Sequence, residues 1–155
     1  MIQSDIKKIV EDLIETFLDA GKISLDLREK GLTKEIKSDN TPVSNGDLEV
    51  NKILTKRISE LTPNIPIVSE ETSENKSRDN LENFWLIDPI DGTYDYINNL
   101  DEFTINAGLI IQKKPAAGLI YAPAKNRMFY SYGDDLSFEL ISGKPNKLDN
   151  SKNFN

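Results

Sequence analysis

Two aspartates three residues apart mark the segment of this sequence that is best suited to chemistry. The segment reads WLIDPIDGTYDY over residues 85–96, so that an apolar run stops at Asp88 and a second acid, Asp91, precedes Gly92 and Thr93. The intervening proline restricts the direction of the backbone, and a glycine permits positive φ or the close approach of a ligand. A helical turn that begins just after the glycine would add free N–H groups, which bind anions. The segment therefore predicts a metal ion next to a phosphate group.

Acidic residues also stand at two other predicted boundaries of secondary structure. Glu70 and Glu71 follow the apolar run at residues 65–68, and Asp47 lies at the start of a predicted helix. Each set has a simpler explanation when it is taken alone: a first-turn acid favoured by the helix dipole, a solvated pair, or, for the two aspartates of the first segment, ordinary turn formers. Taken together, the three sets favour one shared site, because each lies where an element begins or ends.

The amino-acid composition restricts the chemistry that such a site can use. The 155 residues contain no cysteine and no histidine, which excludes thiolate nucleophiles, disulfides and imidazole bases or ligands. Sites built from oxygen alone favour Mg²⁺, Mn²⁺ or Ca²⁺ over Zn²⁺. The net charge of −7 argues against a nucleic-acid polymer as the partner. It also repels an anionic substrate unless bound cations reverse the local field.

The location of the protein is predicted only from features that the sequence lacks. No apolar run approaches the ~20 residues of a transmembrane helix. The first residues, MIQSDIKKIVEDLIE, are amphipathic and do not contain the apolar core of a signal peptide. Together with the absence of cysteine, these features favour a cytoplasmic protein, and they leave peripheral membrane association open.

The elements that must position the acids follow from hydrophobic periodicity. Apolar residues at helical spacing predict one helix over residues 4–26 and a second over residues 46–61, with Ser44 as the N-cap of the second. Between the two helices, residues 28–43 are polar and indicate a loop with a short strand near residues 34–37.

The second half of the chain has the pattern of strands. Apolar runs at residues 65–68 and 84–87 lead into the acidic segments, and four runs at hairpin spacing follow, at residues 103–111, 116–121, 128–132 and 136–141. This order predicts an α+β fold, in which two N-terminal helices pack on one face of a largely antiparallel sheet. We expect residues 1–155 to form one domain and residues 142–155 to be a polar tail or the start of a further domain.

Several motifs together resemble a known family. The acids two residues apart of haloacid-dehalogenase-like phosphatases and the P-loop pattern are both absent. By contrast, WLIDPIDGT preceded by SEE resembles the inositol monophosphatase superfamily of Mg²⁺-dependent, lithium-sensitive phosphatases. Within it, four segments resemble the CysQ-type 3′(2′),5′-bisphosphate nucleotidases: KSDNTPVSNGD (37–47), IPIVSEE (65–71), DEFTINAGLI (101–110) and KPAAGLIYAPAKNRMFY (114–130).

The resemblance implies a set of metal ligands. Glu70 would ligate the activating metal, Asp88 would bridge two metals, Asp91 would bind the second, and Ile90 would contribute its backbone carbonyl. The implied cofactors are two or three Mg²⁺ ions, with Mn²⁺ as a substitute and Li⁺ as an inhibitor.

The resemblance also implies how water and phosphate would be held. Asp47 and Thr93 would form a hydrogen-bonded pair that orients and deprotonates the attacking water. The backbone amides of Gly92 and Thr93 would bind the phosphate. The implied reaction is hydrolysis of the 3′-phosphate of 3′-phosphoadenosine 5′-phosphate by metal-activated water. The related sulfated nucleotide, inositol phosphates and fructose 1,6-bisphosphate remain alternative substrates, and a non-catalytic metal- or phosphate-binding module remains an alternative function.

The length of the sequence departs from the family pattern. Family members carry a second α/β domain with a W-D-x-A-A-like segment, which supplies a further aspartate to the metals. That segment is not found here, and Trp85 is the only tryptophan. We therefore expect the chain to correspond to the first half of the family's αβαβα fold. Its exposed apolar domain interface could support self-association, and this half could be inactive by itself.

Overall fold

Two long helices lie against one face of a mostly antiparallel sheet. The computed structural model describes residues 1–71 and 80–149. Its helices are α1 (Gln3–Lys30), α2 (Asn45–Leu61) and α3 (Thr93–Ile97), and a short 3₁₀ helix spans Pro123–Lys125. Its strands are β1 (Lys34–Ile36), β2 (Pro42–Ser44), β3 (Ile67–Ser69), β4 (Phe84–Asp91), β5 (Thr104–Ile111), β6 (Lys114–Ala122), β7 (Arg127–Ser131), β8 (Ser137–Ile141) and β9 (Lys144–Lys147).

Helix α1 is longer than its apolar pattern predicts. The predicted helix ends near residue 26, whereas α1 continues to Lys30 and stops at Gly31, whose φ is +100°. The last turn is held from outside, because Arg28 Nη1 donates a hydrogen bond to the carbonyl oxygen of Leu100 at 2.6 Å. A contact with a residue so far along the chain leaves no trace in local periodicity. The basic residues of this turn also suit the negative end of the helix dipole.

The polar segment between the helices forms a small hairpin. Strand β1 confirms the predicted strand near residues 34–37, and it pairs in antiparallel register with β2, which the sequence pattern does not predict. Strand β2 has only three residues, which is too short for an alternating pattern to be visible. The hairpin lies next to the segment of acids and forms one wall of the site.

Helix α2 agrees closely with its predicted limits. Ser44 is the N-cap, as predicted: its hydroxyl accepts a hydrogen bond from the Asp47 N–H at 3.3 Å, and its own N–H donates to Asp47 Oδ2 at 2.9 Å. This reciprocal capping box satisfies donors that the first turn would otherwise leave unpaired. The buried face of the helix contains Val50, Leu54 and Ile58.

The predicted α+β class is confirmed by the sheet. In the described part of the chain, seven strands are ordered β3-β4-β5-β6-β7-β8-β9, and only the β3/β4 pair is parallel. Each of the four predicted hairpin strands occurs with shifts of a few residues at its ends. The Trp85 indole N–H donates to Thr62 Oγ1 at 3.0 Å, which ties β4 to the end of α2. One face of the sheet packs on the helices in a single core that includes Leu13, Phe17, Leu54, Trp85, Ile87, Ile105, Leu109 and Leu119.

Two predictions about strands need correction. The apolar pattern ends the fourth strand before Asp88, but β4 continues to Asp91 because its last residues still pair with β5. A polar tail is predicted at residues 142–155, yet Lys144–Lys147 pair with β8 as β9. Ser142 and Gly143 both have positive φ, 50° and 76°, as the central residues of a tight hairpin turn require.

Two segments with sequence-based predictions lie partly or wholly outside the described residues. The polar sequence of residues 72–82 predicts a loop, and most of these residues lie outside the described part of the chain, as does the end of the chain after residue 149. None of the helices in the described part of the chain combines the length and apolar content needed to cross a bilayer.

Candidate functional site

The predicted site residues surround one cleft. A cavity of about 280 Å³ lies where the ends of β3 and β4, the start of α3 and the β1–β2 hairpin meet. Asp47 lies behind Thr93 and contacts it directly. The three acidic sets of the sequence therefore belong to one region of the fold. The lining of the cavity includes six of the predicted residues, Glu70, Asp88, Ile90, Asp91, Gly92 and Thr93.

A bulge in β4 places both aspartates of the central motif on the same side of the sheet. Asp88 pairs with Asn106 and Asp91 pairs with Thr104, so three steps along β4 match two steps along β5. Residues three apart in a regular strand point to opposite faces, and one extra residue restores the same face. Proline suits the bulge because it offers no N–H to the ladder.

Burial agrees with this geometry. Ile87 and Ile90, each next to one of the aspartates in sequence, are buried in the core on the helix side. Asp88 is half-buried and Asp91 is exposed. Two carboxylates therefore point away from the core next to each other, which the sequence could not show by spacing alone.

The acidic end of β3 is held beside β4 by parallel pairing and by a buried anchor. Ser69 pairs with Ile87, and the Glu70 N–H continues the ladder by donating to the Ile87 carbonyl at 3.1 Å. The Ser69 hydroxyl donates to Asn51 Oδ1 in a buried contact, which fixes the end of β3 against α2. Glu70 thus leaves its strand next to the carboxylate of Asp88.

Asp47 and Thr93 are joined by the hydrogen bond that the family resemblance implies. Thr93 Oγ1 donates to Asp47 Oδ1 at 2.9 Å, and the other oxygen of Asp47 accepts from both the N–H and the hydroxyl of Ser44. Asp47 is fully buried, so these donors replace the water it loses. Thr93 Oγ1 also lies 3.2 Å from the carbonyl oxygen of Ile90. Because the hydroxyl proton is directed at an acceptor, the oxygen of Thr93 can still accept a hydrogen bond from the cleft.

Two glycines allow these elements to come together. Gly92 has a φ of +88°, which is the first of the two possibilities that a glycine permits here, and a Cβ there would lie 2.7 Å from the carbonyl oxygen of Glu102. At the start of α2, a Cβ on Gly46 would lie 2.2 Å from the hydroxyl oxygen of Tyr96. That hydroxyl donates to the Ser24 carbonyl at 2.6 Å, so α1, α2 and α3 converge at one buried tyrosine.

The cleft carries an excess of negative charge. Burial, followed by the charges of Asp91, Glu70, Glu71 and Asp47, raises the pKa of Asp88 from 3.8 to about 6. Burial also raises the pKa of Glu71, against the opposing positive charge of Lys37. The Lys37 ammonium lies 3.7 Å from Glu71 Oε2, and it is the only cation among the described residues that line the cleft. One ammonium cannot neutralise so many carboxylates, which favours the binding of additional cations.

The described side chains do not form a ready-made metal site. Within residues 1–71 and 80–149, no group of three or more acidic side chains is arranged so that it could hold a metal ion. The donor chemistry nevertheless fits Mg²⁺, because carboxylate oxygens and a backbone carbonyl surround a cleft with uncompensated negative charge. The ligand roles of Glu70, Asp88, Ile90 and Asp91 stay predictions.

Lys37 and Tyr94 are among the lining residues for which the sequence predicts no role. Lys37 begins the motif KSDNTPVSNGD, and Tyr94 follows Thr93 directly. Lys37 is a single lysine in a polar segment, and such a residue has no spacing that distinguishes it from a solvated one. For Tyr94 a usable signal did exist, because it stands immediately after the Gly-Thr pair.

Comparison with known proteins places the chain in a family. A model described as "Inositol monophosphatase family" matches residues 5–148. The chain belongs to the inositol monophosphatase family. Within the family, it is similar to the 3′(2′),5′-bisphosphate nucleotidase CysQ of Haemophilus influenzae, with 36% identity over 138 residues. That match covers 87% of this chain and 51% of the relative. The chain thus spans about half the length of the curated relatives it matches.

Solved structures of the family share the fold. The extragenic suppressor protein SuhB of Bartonella henselae matches with a TM-score of 0.75 and 22% identity, over 85% of this chain and 52% of that one. An IMPase/NADP phosphatase described as complexed with Mg²⁺ and phosphate matches with a TM-score of 0.73 and 17% identity, over 88% of this chain and 51% of that one. The described elements therefore correspond to about half of the inositol monophosphatase fold.

Proposed function

We propose that this chain carries the metal- and phosphate-binding half of a Mg²⁺-dependent phosphatase. The proposed reaction is hydrolysis of the 3′-phosphate of 3′-phosphoadenosine 5′-phosphate or a related bisphosphate. The observation that carries the proposal is the Asp47–Thr93 hydrogen bond of 2.9 Å beside a cleft lined by Glu70, Asp88 and Asp91. The similarity to CysQ supports this substrate over inositol phosphates and fructose 1,6-bisphosphate.

The acids of the cleft would hold the cations. Glu70, Asp88 and Asp91, with the backbone carbonyl of Ile90, would be the protein ligands of Mg²⁺. Bound Mg²⁺ lowers the pKa of a water molecule and neutralises the charge of the phosphate oxygens. Burial and the neighbouring carboxylates raise the pKa of Asp88 in the metal-free chain, and bound cations would relieve the repulsion among these acids.

The Asp47–Thr93 pair would position the attacking water. Thr93 Oγ1 accepts a hydrogen bond from that water while it donates to Asp47 Oδ1, and the proton leaves the water along this path. Asp47 is positioned to receive it at the start of α2, because Ser44 donates two hydrogen bonds to the other carboxylate oxygen. A water that is fixed in this way attacks the phosphorus in line with the leaving oxygen, which is the geometry that phosphoryl transfer needs.

The turn between β4 and α3 would bind the phosphate. The backbone N–H groups of Gly92 and Thr93 are proposed to donate to its oxygens, which the positive φ of Gly92 allows by turning the chain at this point. Lys37 lines the wall of the cleft next to the β1–β2 hairpin, and its ammonium adds a positive charge close to the substrate.

The test is phosphate release with three substrates. The chain is assayed with 3′-phosphoadenosine 5′-phosphate, inositol 1-phosphate and fructose 1,6-bisphosphate, with and without Mg²⁺. We expect release from the bisphosphate nucleotide only with Mg²⁺, and a loss of at least ~100-fold for Asp91→Asn, as for other key electrostatic groups. Asp134→Asn makes the same chemical change at an exposed position away from the cleft and serves as the control. Turnover by Asp91→Asn close to that of the control would reject the role of Asp91.

A second candidate function follows from the incomplete site. Because the described acids are not preassembled for a metal and the chain spans about half of its relatives, a module that binds Mg²⁺ and phosphate without turnover is the alternative. Calorimetric titration with Mg²⁺ and adenosine 5′-phosphate separates the two functions. Binding without phosphate release from any of the three substrates favours the module.

A further inference from the structure

Tyr94 differs from every other aromatic residue in the described part of the chain. Its exposed fraction is 69%, whereas the remaining aromatic residues within residues 1–71 and 80–149 are buried or half-buried. An exposed aromatic ring keeps a large apolar area in contact with water, and a ligand can cover this area when the ring lies in a cleft. Tyr94 does not lie on an arbitrary surface, because it lines the same cleft as Glu70, Asp88 and Asp91.

The backbone of Tyr94 is fixed although its side chain is free. Tyr94 is in the first turn of α3, directly after Thr93, and its carbonyl oxygen accepts hydrogen bonds from the Asn98 N–H at 3.0 Å and from Asn98 Nδ2 at 2.8 Å. Among the described residues, its ring has no aromatic or cationic partner and its hydroxyl has no hydrogen-bond partner. Neither packing nor a local hydrogen bond therefore accounts for a tyrosine at this position.

The neighbouring residues show what the ring could contact. The preceding residue on the chain, Thr93, and the acids of β4 surround the region in which the phosphate is proposed to bind. A group attached to that phosphate must leave the cleft along its exposed edge, where the ring of Tyr94 is accessible. A planar base stacks on an aromatic side chain favourably and with little loss of side-chain entropy. An inositol or sugar ring presents hydroxyl groups and no such π-face.

We propose that Tyr94 is a specificity-determining residue whose ring stacks on the base of a nucleoside phosphate held in the cleft. This inference rests on the proposed function and names the residue of this chain that would distinguish a nucleotide from other phosphate esters. The simpler explanation, an exposed tyrosine without a role, predicts no dependence of ligand choice on the ring.

The test compares ligands that differ in the base. The chain is titrated, in the presence of Mg²⁺, with adenosine 3′-phosphate, inositol 1-phosphate and inorganic phosphate. Both organic probes carry a phosphate on a ring hydroxyl, and only the first has a base. We expect adenosine 3′-phosphate to bind about 5- to 150-fold more tightly than inositol 1-phosphate, which is the range of one base–aromatic contact.

Two substitutions separate the ring from the hydroxyl. Tyr94→Ala should remove most of that preference and leave the affinity for inorganic phosphate within about twofold, whereas Tyr94→Phe should keep the preference because stacking needs no hydroxyl. Nuclear magnetic resonance adds a direct readout, since the adenine protons should move upfield on binding to the unsubstituted chain or to Tyr94→Phe, and not on binding to Tyr94→Ala. Ile141→Ala, which trims another exposed apolar side chain on β8, is the control and should change nothing.

Each result has a clear consequence. An unchanged preference in Tyr94→Ala, or a loss in Tyr94→Phe as large as in Tyr94→Ala, overturns the stacking role. Mg²⁺-dependent binding of inorganic phosphate without any preference for the nucleotide overturns the inference and leaves the proposed function standing. If phosphate does not bind in the presence of Mg²⁺, the proposed function and the inference both fail.

Discussion

At the scale of single residues, the proposed function of the site opposes the stability of the metal-free chain. Asp88 is half-buried beside other carboxylates that line or adjoin the cleft, so it is costly to ionise when no cation is present. A divalent cation bound in the proposed metal site would remove this cost. Carboxyl groups with a strongly raised pKa are common at ligand-binding and catalytic sites.

The first prediction at this scale concerns Asp88→Asn in the metal-free chain. The pKa of Asp88 is raised from 3.8 to about 6 in the folded state, so between these pH values the folded chain binds more protons than the unfolded chain. Stability therefore falls as the pH rises through this window, and the substitution should remove that fall. At pH 7 we expect Asp88→Asn to raise the free energy of unfolding by about 1 kcal/mol, after allowance for solvent screening of a half-exposed group.

The measurement is urea unfolding at pH 7 and at pH 4 with a chelator present. The increase in the free energy of unfolding caused by Asp88→Asn should be present at pH 7. It should be nearly absent at pH 4, where the Asp88 carboxyl of the unsubstituted chain is protonated in the folded state. Asp134→Asn, in an exposed turn, should show no comparable gain. A less stable Asp88→Asn chain at pH 7 would contradict the electrostatic explanation.

At the scale of elements, one buried tyrosine sets the position of three helices. Tyr96 on α3 passes the start of α2 at Gly46 and donates its hydroxyl to the Ser24 carbonyl of α1 at 2.6 Å. Because Asp47 follows Gly46 and Thr93 opens α3, this contact also fixes the distance between the two members of the proposed water-binding pair. Packing and site geometry therefore depend on the same residues.

The prediction at this scale is that Gly46→Ala damages the fold and the Asp47–Thr93 contact together. A Cβ at Gly46 would lie 2.2 Å from the Tyr96 hydroxyl oxygen, so α2 and α3 must separate. We expect a loss of about 1–3 kcal/mol in the free energy of unfolding, as for other overpacked sites. Urea unfolding measures it.

Gly108→Ala is the matched control. A Cβ there would meet only the Ala117 carbonyl oxygen, at 4.0 Å, and an alanine suits a strand better than a glycine does. Gly108→Ala should leave the free energy of unfolding unchanged or raise it slightly. Equal stability of the two variants would show that the contact between Gly46 and Tyr96 does not restrict α2.

At the scale of the whole molecule, one face of the sheet stays open in the described part of the chain. The helices cover the face that carries Trp85 and Leu109, and the other face forms a groove of about 500 Å³ whose lining includes Leu86, Ile120 and Phe129. An apolar surface of this kind promotes association. The proposed self-association of this chain would use it.

The corresponding prediction is that the chain associates in a concentration-dependent way and that Ile120→Lys weakens the association. Ile120 is 48% exposed on the open face, so a lysine is tolerated there in the monomer and disfavoured in an apolar contact. Sedimentation velocity over a range of concentrations measures the change. Leu48→Lys, which places the same charge on an exposed position of α2, is the control. Association that persists equally in both variants would place the contact elsewhere.

Much of this architecture could be predicted from the sequence because the signals are local. Hydrophobic periodicity located α1 and α2, and apolar runs separated by turn residues located β5 to β8. The cap at Ser44 depends on a short stretch of backbone and is confirmed, and Gly92 adopts the positive φ that a glycine permits. Short strands such as β2 and β9 carry too few residues for a pattern.

The sequence alone determined which residue types are available. It contains three separate sets of carboxylates, one of which is followed by a Gly-Thr pair, and neither histidine nor cysteine. Only the tertiary structure decided that these positions share a cleft. The bulge in β4 brings Asp88 and Asp91 to one face, and the packing of α2 against α3 brings Asp47 within 2.9 Å of Thr93. Composition and spacing act along the chain, whereas these contacts depend on strand register and on helix packing between residues 46 positions apart, which no local pattern encodes.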